Sequence, residues 1–247
     1  MNKISQENPI QVVEASVGPC LTSCQCLFAR HIGPQVIHRR YKRGDRLPLD
    51  TSTETRIRVI RSGMVATSAT LADGRRQLLC LRMPGDAMRP AKSVAPEIWD
   101  EALTETDVCE GTFAENREAL YADGEKFRAF FDLTEAEMES GLAHRLLLGR
   151  FNARERLCTF LSAMVNRAKR FRGITDETVA VALPLSREDI ADFLCLNAAT
   201  VTREIKKLKA ENIVRFPTPT VCEVLNTRKL EELTPLALKL CGQPKAT

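Results

Sequence analysis

The stretch Ser186–Ala210, SREDIADFLCLNAATVTREIKKLKA, constrains the fold more than any other part of the chain. Ser186 is a good helix N-cap, and Asp189 three residues on approximates a capping box. Ile190, Ala191 and Leu194 then recur at helical spacing. Cys195-Leu196-Asn197 makes a short break. A second helix comes next, with Val201, Ile205 and Leu208 on one face. Its other face shows Thr200, Thr202, Arg203, Lys206, Lys207 and Lys209. Two short helices across a tight turn, the second apolar inside and basic outside, read as a helix-turn-helix. The same stretch also fits an ordinary helical hairpin with a solvated basic face. The residues just C-terminal to it favour the helix-turn-helix. Asn212–Phe216 and Val221–Val224 are β-rich runs flanking Pro217-Thr218-Pro219-Thr220, the pattern of a wing hairpin.

Charge supports a polyanionic partner. Residues 150–215 hold thirteen Lys+Arg against eight Asp+Glu, whereas the whole 247-residue chain nets only +4. Positive charge concentrated on the helix-turn-helix region suits DNA. No apolar run reaches the ~18 residues of a membrane span. The N-terminus, MNKISQENPIQVVEASVGP, lacks the apolar core of a secretory signal. The expected location is therefore the cytoplasm, where the nine cysteines stay reduced and available to a metal or to the core.

Residues 1–19 read as an arm. Cys20, Cys24 and Cys26 come next, spaced C-x3-C-x-C. So dense a group of thiols suits convergence on one soft metal centre, but also a reduced, solvated cluster without metal. Leu27–Ile37 fits a short helix broken near Gly33-Pro34. From Val36 to Cys109 short β runs alternate with turns: Arg56–Ile60, the Ser62-Gly63 turn, and Met64–Leu71 with Arg75–Arg82 around Ala72-Asp73-Gly74. Ala102–Glu110 is expected to be one strand, and the set suggests a small antiparallel barrel. Glu125–Arg150 predicts a long helix of about 39 Å. Phe127, Phe131, Met138, Leu142 and Leu146 stripe it, with a gap near Thr134. The stripe suits a coiled-coil dimer seam or packing within one subunit. Asn152 can cap a further helix, Ala153–Phe171, and Val179–Leu185 is strand-like. Asn226–Leu233 fits a final short helix, and residues 242–247 a loose tail.

A barrel, a long connecting helix and a winged helix-turn-helix in that order resemble the Crp/Fnr superfamily of bacterial transcription regulators. The matching stretches are Ile60-Arg61-Ser62-Gly63, Pro84-Gly85-Asp86, Ala153-Arg154-Glu155-Arg156-Leu157 and Leu185–Leu208. The Ala-Arg-Glu-Arg-Leu stretch resembles the Fnr-like branch, the fumarate and nitrate reduction regulators. The resemblance implies an α+β fold: an arm with the cysteine cluster (1–28), a cupin-like or jelly-roll β-barrel sensor (29–122), a dimerisation helix (123–151), a winged helix-turn-helix (152–238) and a tail (239–247). It implies dimerisation through Phe131, Met138, Leu142 and Leu146, and double-stranded DNA and RNA polymerase as partners. That branch commonly carries an oxygen-labile [4Fe–4S] cluster, which would place ligands at Cys20, Cys24, Cys26 and Cys109. The familiar N-terminal spacing is wider than C-x3-C-x-C, and the stretch from Cys26 to the barrel is shorter here. Cys80, Cys158, Cys195, Cys222 and Cys241 match no ligand position. Nucleotide-binding members carry a Gly-Glu pair and an Arg-Ser or Arg-Thr pair after the Pro-Gly-Asp turn. Ala87–Val94 carries neither, so no cyclic nucleotide is expected. A haem-sensing member is the alternative that stays open, though His31, His38 and His144 are too generic to point to it.

In the recognition helix, Fnr-like members usually present Glu-x-x-Ser-Arg. The equivalents are Ala199, Thr202 and Arg203. Arg203 can contact guanine O6 and N7, and Thr202 a base edge or thymine methyl, whereas Ala199 cannot accept from cytosine N4. Asn197 and Thr200 start the helix within reach of DNA, and Lys206 and Lys207 lie further along toward phosphates. Cys195 stands where the turn usually has Gly, which demands local accommodation of the backbone. The expected function is a homodimeric DNA-binding regulator sensing oxygen or redox state through the cluster. Its rival is the same regulator without a cluster, responding to another ligand or to none. A metal-dependent enzyme is disfavoured, since no carboxylate or His pair sits at a catalytic spacing.

Overall fold

A computed structural model describes residues 37–48, 55–89, 98–115, 117–172, 178–237 and 240. Cys20, Cys24, Cys26 and Cys241, the arm, the tail and nearly all of the expected Leu27–Ile37 helix lie outside these residues. The first seven strands are β1 (Ile37–Tyr41), β2 (Thr55–Ser62), β3 (Val65–Thr70), β4 (Arg76–Arg82), β5 (Ala87–Met88), β6 (Ile98–Ala102) and β7 (Thr106–Ala114). They form two antiparallel sheets, ordered β1-β7-β2-β5 and β4-β3-β6. Among the described residues the barrel is thus a two-sheet jelly roll rather than a closed ring. Tyr41, Ile60, Met88 and Val108 of the first sheet pack with Val65 and Ala102 of the second. A buried ion pair lies there too, Arg58 Nε donating to Glu110 Oε2 at 2.7 Å.

Both faces of the first sheet are covered, so β2 does not read as a simple alternation: Ile57 through Ile60 are all buried. Ala102–Glu110 is two strands rather than one, broken at residues 103–105. The reason is tertiary. Gly63 holds φ +80 in the Ser62-Gly63 turn, and a side chain there would collide with Glu105 and Thr106. The Met64 N–H donates to the Thr104 and Thr106 hydroxyls, pinning the chain reversal.

A short helix, α1 (Arg117–Ala122), precedes the long α2 (Gly124–Arg150), which Asp123 caps by accepting from the Glu125 and Lys126 amides. Ala129, Leu133, Ser140, His144 and Leu147 face inward on α2. The first half covers the outer face of the β1-β7-β2-β5 sheet, Ala129 and Leu133 packing with Ile57, Val59, Cys109 and Phe113. Helix α3 (Ala153–Arg172) is next, with Asn152 and Glu155 exchanging reciprocal cap bonds. Then come β8 (Val179–Ala182), α4 (Arg187–Leu194), α5 (Ala198–Ala210), β9 (Val214–Thr218), β10 (Val221–Val224) and α6 (Thr227–Glu232). The wing sheet runs β8-β10-β9. Strand β9 extends through Pro217 and Thr218, so the turn is shorter than the Pro-Thr-Pro-Thr segment. Pro217 is tolerated because β9 is the edge strand. One core joins the outer face of the β4-β3-β6 sheet (Ala66, Leu78, Leu81) to Leu147 and Phe151, to α3 and to the helix-turn-helix.

Candidate nucleic-acid interface and the Cys109 strand

The helix-turn-helix is built by its caps. The Ser186 Oγ accepts from the Asp189 amide at 3.0 Å, and Asp189 Oδ2 accepts from the Ser186 amide at 3.0 Å, a full capping box. Cys195 ends α4 in the left-handed region, φ 50 and ψ 49, which is the accommodation that a non-glycine turn requires. Asn197 Oδ1 then accepts from the Thr200 amide at 2.7 Å and starts α5. The Asn197 side-chain oxygen is therefore committed to the cap. Asn212, at φ 54, closes α5.

Val201, Ile205 and Leu208 are buried beneath α5, as their spacing implies. Ala199, Arg203, Lys206 and Lys207 are exposed, and Thr200 and Thr202 half-buried, all on one helix. Arg203 Nη2 reaches Thr200 Oγ1 at 3.5 Å. Glu204 is buried on this helix, its Oε1 accepting from Lys207 Nζ at 2.9 Å and lying 3.7 Å from Arg203 Nε. Sequence reasoning passed over Glu204, although it is in phase with Val201, Ile205 and Leu208. Beside the helix, Phe216 of the wing lies under two cations, Lys209 at 5.1 Å and Arg187 at 4.7 Å from the ring centroid.

The first helix of the pair is docked on the β4-β3-β6 sheet. Arg76 of β4 donates to Asp189 Oδ1 at 2.5 Å, Asp192 Oδ2 at 2.8 Å and Glu101 Oε1 at 2.9 Å. Arg43 donates to Asp189 Oδ2 at 2.9 Å. Burial works against the charge of Asp189, but the Ser186 hydroxyl and Arg76 outweigh it and hold its carboxyl below the ordinary range. Gln77 bridges to the Asp192 carbonyl and accepts from Cys195 Sγ.

Two of the family-like stretches also turn out to be joints. Arg156 donates to the carbonyls of Leu148, Phe151 and Leu194, tying the end of α2 to the end of α4. Arg167 of α3 donates to Asp86 Oδ1 at 2.9 Å and to the Pro84 carbonyl at 2.6 Å. Each arginine bonds across elements: Arg156 reaches the Leu194 carbonyl 38 positions on, and Arg167 reaches Asp86 81 positions back.

Cys109 lies on β7, directly across from His38 of β1. Its Sγ is 3.3 Å from His38 Nδ1, and Arg61 Nη1 is 3.4 Å from the same nitrogen. The thiol is buried on the sheet face that α2 covers. Among the described residues no three His, Cys, Asp or Glu converge as metal ligands. A soft thiolate donor at Cys109 fits an iron–sulfur centre as one ligand. Cys158 and Cys222 are core residues, their thiols pushed up to about 11 and about 12 by burial. Arg89 is bonded to Glu137, with Oε2 3.3 Å from Nη2, and faces the Phe130 ring.

On α2, Phe131, Met138, Leu142 and Leu146 are all exposed on the single chain, Met138 by 62%. Among the described residues no helix is long and apolar enough to cross a membrane.

Comparison with known proteins agrees with this geometry. A model of the Crp-like helix-turn-helix domain matches residues 155–233. The nitrogen fixation regulation protein FixK of Azorhizobium caulinodans is 32% identical over 174 residues, covering 68% of this chain and 67% of that protein. The transcriptional activatory protein AadR of Rhodopseudomonas palustris is 28% identical, covering 79% and 80%. The solved structure of FixK2 from Bradyrhizobium japonicum superposes with a TM-score of 0.70 at 27% identity, covering 82% of this chain and 98% of that one. The chain belongs to the Crp/Fnr family of transcription regulators, in its Fnr-like branch, and is a DNA-binding protein that functions as a dimer rather than an enzyme.

Proposed function

We propose that this regulator senses oxygen or redox state through a [4Fe–4S] cluster held by Cys20, Cys24, Cys26 and Cys109. The observation that carries the reading is the place of Cys109: buried on β7 against Ala129 and Leu133 of α2. When bound, such a cluster supplies iron–thiolate bonds sensitive to oxidants. A displacement of β7 is felt by α2 through Leu133, Ala129 and the Phe113–Phe130 ring contact. The opposite face of α2 presents Phe131, Met138, Leu142 and Leu146 to a second copy, forming the dimer seam. The far end of α2 holds α4 through Arg156, so the spacing of the two recognition helices depends on the seam.

On DNA, Arg203 reads guanine and Thr202 a neighbouring base edge. Thr200 and Asn197 lie at the entry of the helix, Ala199 leaves one base pair unread, and Lys206 and Lys207 meet phosphates. RNA polymerase is the partner on promoter DNA. No cyclic nucleotide is bound, and Arg89, just after the Pro-Gly-Asp turn, serves Glu137 instead.

The His38 imidazole against the Cys109 thiol favours a second reading, a cluster-free regulator responding to another ligand or to none. One experiment separates them. Anaerobically purified protein should show visible iron–sulfur absorption with iron and sulfide in near-equal amounts. Cys109→Ser should lose them and bind DNA more weakly while remaining folded. Full iron and sulfide in Cys109→Ser would remove Cys109 from the ligand set. Colourless native protein that binds DNA would establish the cluster-free reading.

A further inference from the structure

Glu204 is a carboxylate where the helical pattern asks for an apolar residue. It shares the buried face of α5 with Val201, Ile205 and Leu208, and its side chain is only 6% exposed. Oε1 serves Lys207 Nζ at 2.9 Å and lies 3.7 Å from Arg203 Nε, while Oε2 is buried with no hydrogen-bond partner among the described residues. Burying a charge with one oxygen unserved is unfavourable, and a leucine in that phase would simply extend the core. The carboxylate contributes something other than packing. It puts negative charge beneath the helical turn that shows Arg203 and Lys207 to solvent, 64% and 52% exposed. Thr200 Oγ1 lies 3.5 Å from Arg203 Nη2. The Nε–Nη2 edge of the guanidinium is thus turned toward Glu204 and Thr200, and among the described residues nothing bonds Nη1, the end that can face a base.

We propose that Glu204 is a positioning residue for base readout: from beneath the helix it holds Arg203 and Lys207, so that the arginine fork meets the guanine edge already oriented. The proposal rests on the reading of Arg203 as the guanine contact. Pre-orientation raises affinity by lowering the ordering cost of long side chains on binding. It acts on discrimination in particular, because a bidentate pair demands a fixed fork whereas phosphate contacts do not.

The test uses the full-length dimer on a duplex selected from a random pool, on single-base variants of that duplex, and on random DNA. Arg203→Ala first identifies the guanine, as the position whose preference disappears. Glu204→Gln, close in size and uncharged, should then lower the preference for that guanine by about 10-fold. Random DNA should be bound as well or better, since a negative charge near the phosphates has gone. Glu204→Asp, which retains the charge one methylene back, should give a smaller loss of preference. In an Arg203→Ala background Glu204→Gln should cause no further loss. Unchanged guanine preference in Glu204→Gln overturns the proposal. So does equal loss on all duplexes, which marks a purely structural residue, and so does equal loss with and without Arg203. If Glu204→Gln does not fold, unchanged preference in Glu204→Asp overturns it. Equal weakening of specific and random binding by Arg203→Ala would instead bring down the parent reading of Arg203.

Discussion

The two faces of α2 invert the usual rule of burial. The face turned toward its own chain carries Ala129, Leu133, Ser140, His144 and Leu147. The face left open carries Phe127, Phe131, Met138, Leu142 and Leu146, exposed by 39–62%. Each face carries two leucines, but the aromatic and methionine side chains stand on the open face while Ser140 and His144 are buried on the inner one. Leaving such a stripe in water forfeits roughly 25 cal/mol for each Å² that a partner could cover. A family that functions as dimers has an evident use for it. The inner face is a lighter joint, and the attachment of α4 to the N-terminal sheets relies on charges and carbonyl contacts to supplement it. The contrast predicts a ranking of effects.

The largest belongs to the outer face. Met138→Glu or Leu142→Glu would bury a charge against its symmetry mate, for a loss on the order of 3–5 kcal/mol in dimer affinity. Sedimentation should show monomer at micromolar concentration, with the fold of each chain intact by circular dichroism. An unchanged tight dimer would move the seam elsewhere.

The outer stripe was legible in sequence because water selects it only by its spacing, Phe127, Phe131, Met138, Leu142 and Leu146 on one side of a helix. The inner face was not, since Ser140 and His144 are buried through partners that no periodicity reveals, such as the Phe193 carbonyl 49 positions away. The same division holds elsewhere. Ser186, Asp189 and Asn197 act on residues three positions off, and their caps could be read directly. Arg76, Arg156 and Arg167 act across 25 to 116 positions or between elements, which no local spacing reveals. The break at residues 103–105 depends on the approach of Gly63, again a tertiary cause. Glu204 was hidden because hydrophobic spacing marks only the apolar members of a buried face, and a carboxylate among them carries no such signal.

Second in size is the inner apolar contact. Leu133→Ala removes a side chain 7% exposed, packed with the Cys109 face of the sheet. About 2–4 kcal/mol of unfolding free energy should be lost. Denaturant titration of a concentrated, fully dimeric sample isolates this term from dissociation. A loss below ~1 kcal/mol would mean that α2 is held by its outer face almost alone.

The charged joint comes third. Arg76→Met removes three bonds, but Asp189 retains Arg43 and the Ser186 cap, and Arg76 is itself 30% exposed. The expected cost is roughly 1–2 kcal/mol, after discounting for solvent screening. Amide exchange should quicken across 187–194 before it quickens in the sheets. Uniform acceleration throughout the chain would show that α4 is not a separately anchored unit.

The smallest effect sits on the inner face itself and carries a sign. His144 is 7% exposed, stacks on Phe193 at 4.4 Å, and its Nε2 lies 2.7 Å from the Phe193 carbonyl oxygen. That distance assigns the proton to Nε2 of a neutral ring, which donates to the carbonyl. Burial lowers the imidazole below its ordinary 6.5, against the opposing pull of the Phe193 and Leu79 carbonyls. A depressed histidine binds its proton more readily in the unfolded chain. Its contribution is therefore fully present above about pH 6.5 and is lost as pH falls toward the lower folded value. Native protein should lose up to about 1 kcal/mol between pH 7 and 5, and His144→Gln should lose less over the same interval. The difference between the two profiles isolates this ring from the carboxylates, which titrate in both proteins. Because His144 joins α2 to α4, the acid-induced loosening should appear first as faster amide exchange in α4, with the dimer seam still closed. A wild-type stability that rises on acidification through that interval would require the ring to be charged in the folded protein, and the inner face of α2 would then be another charged joint.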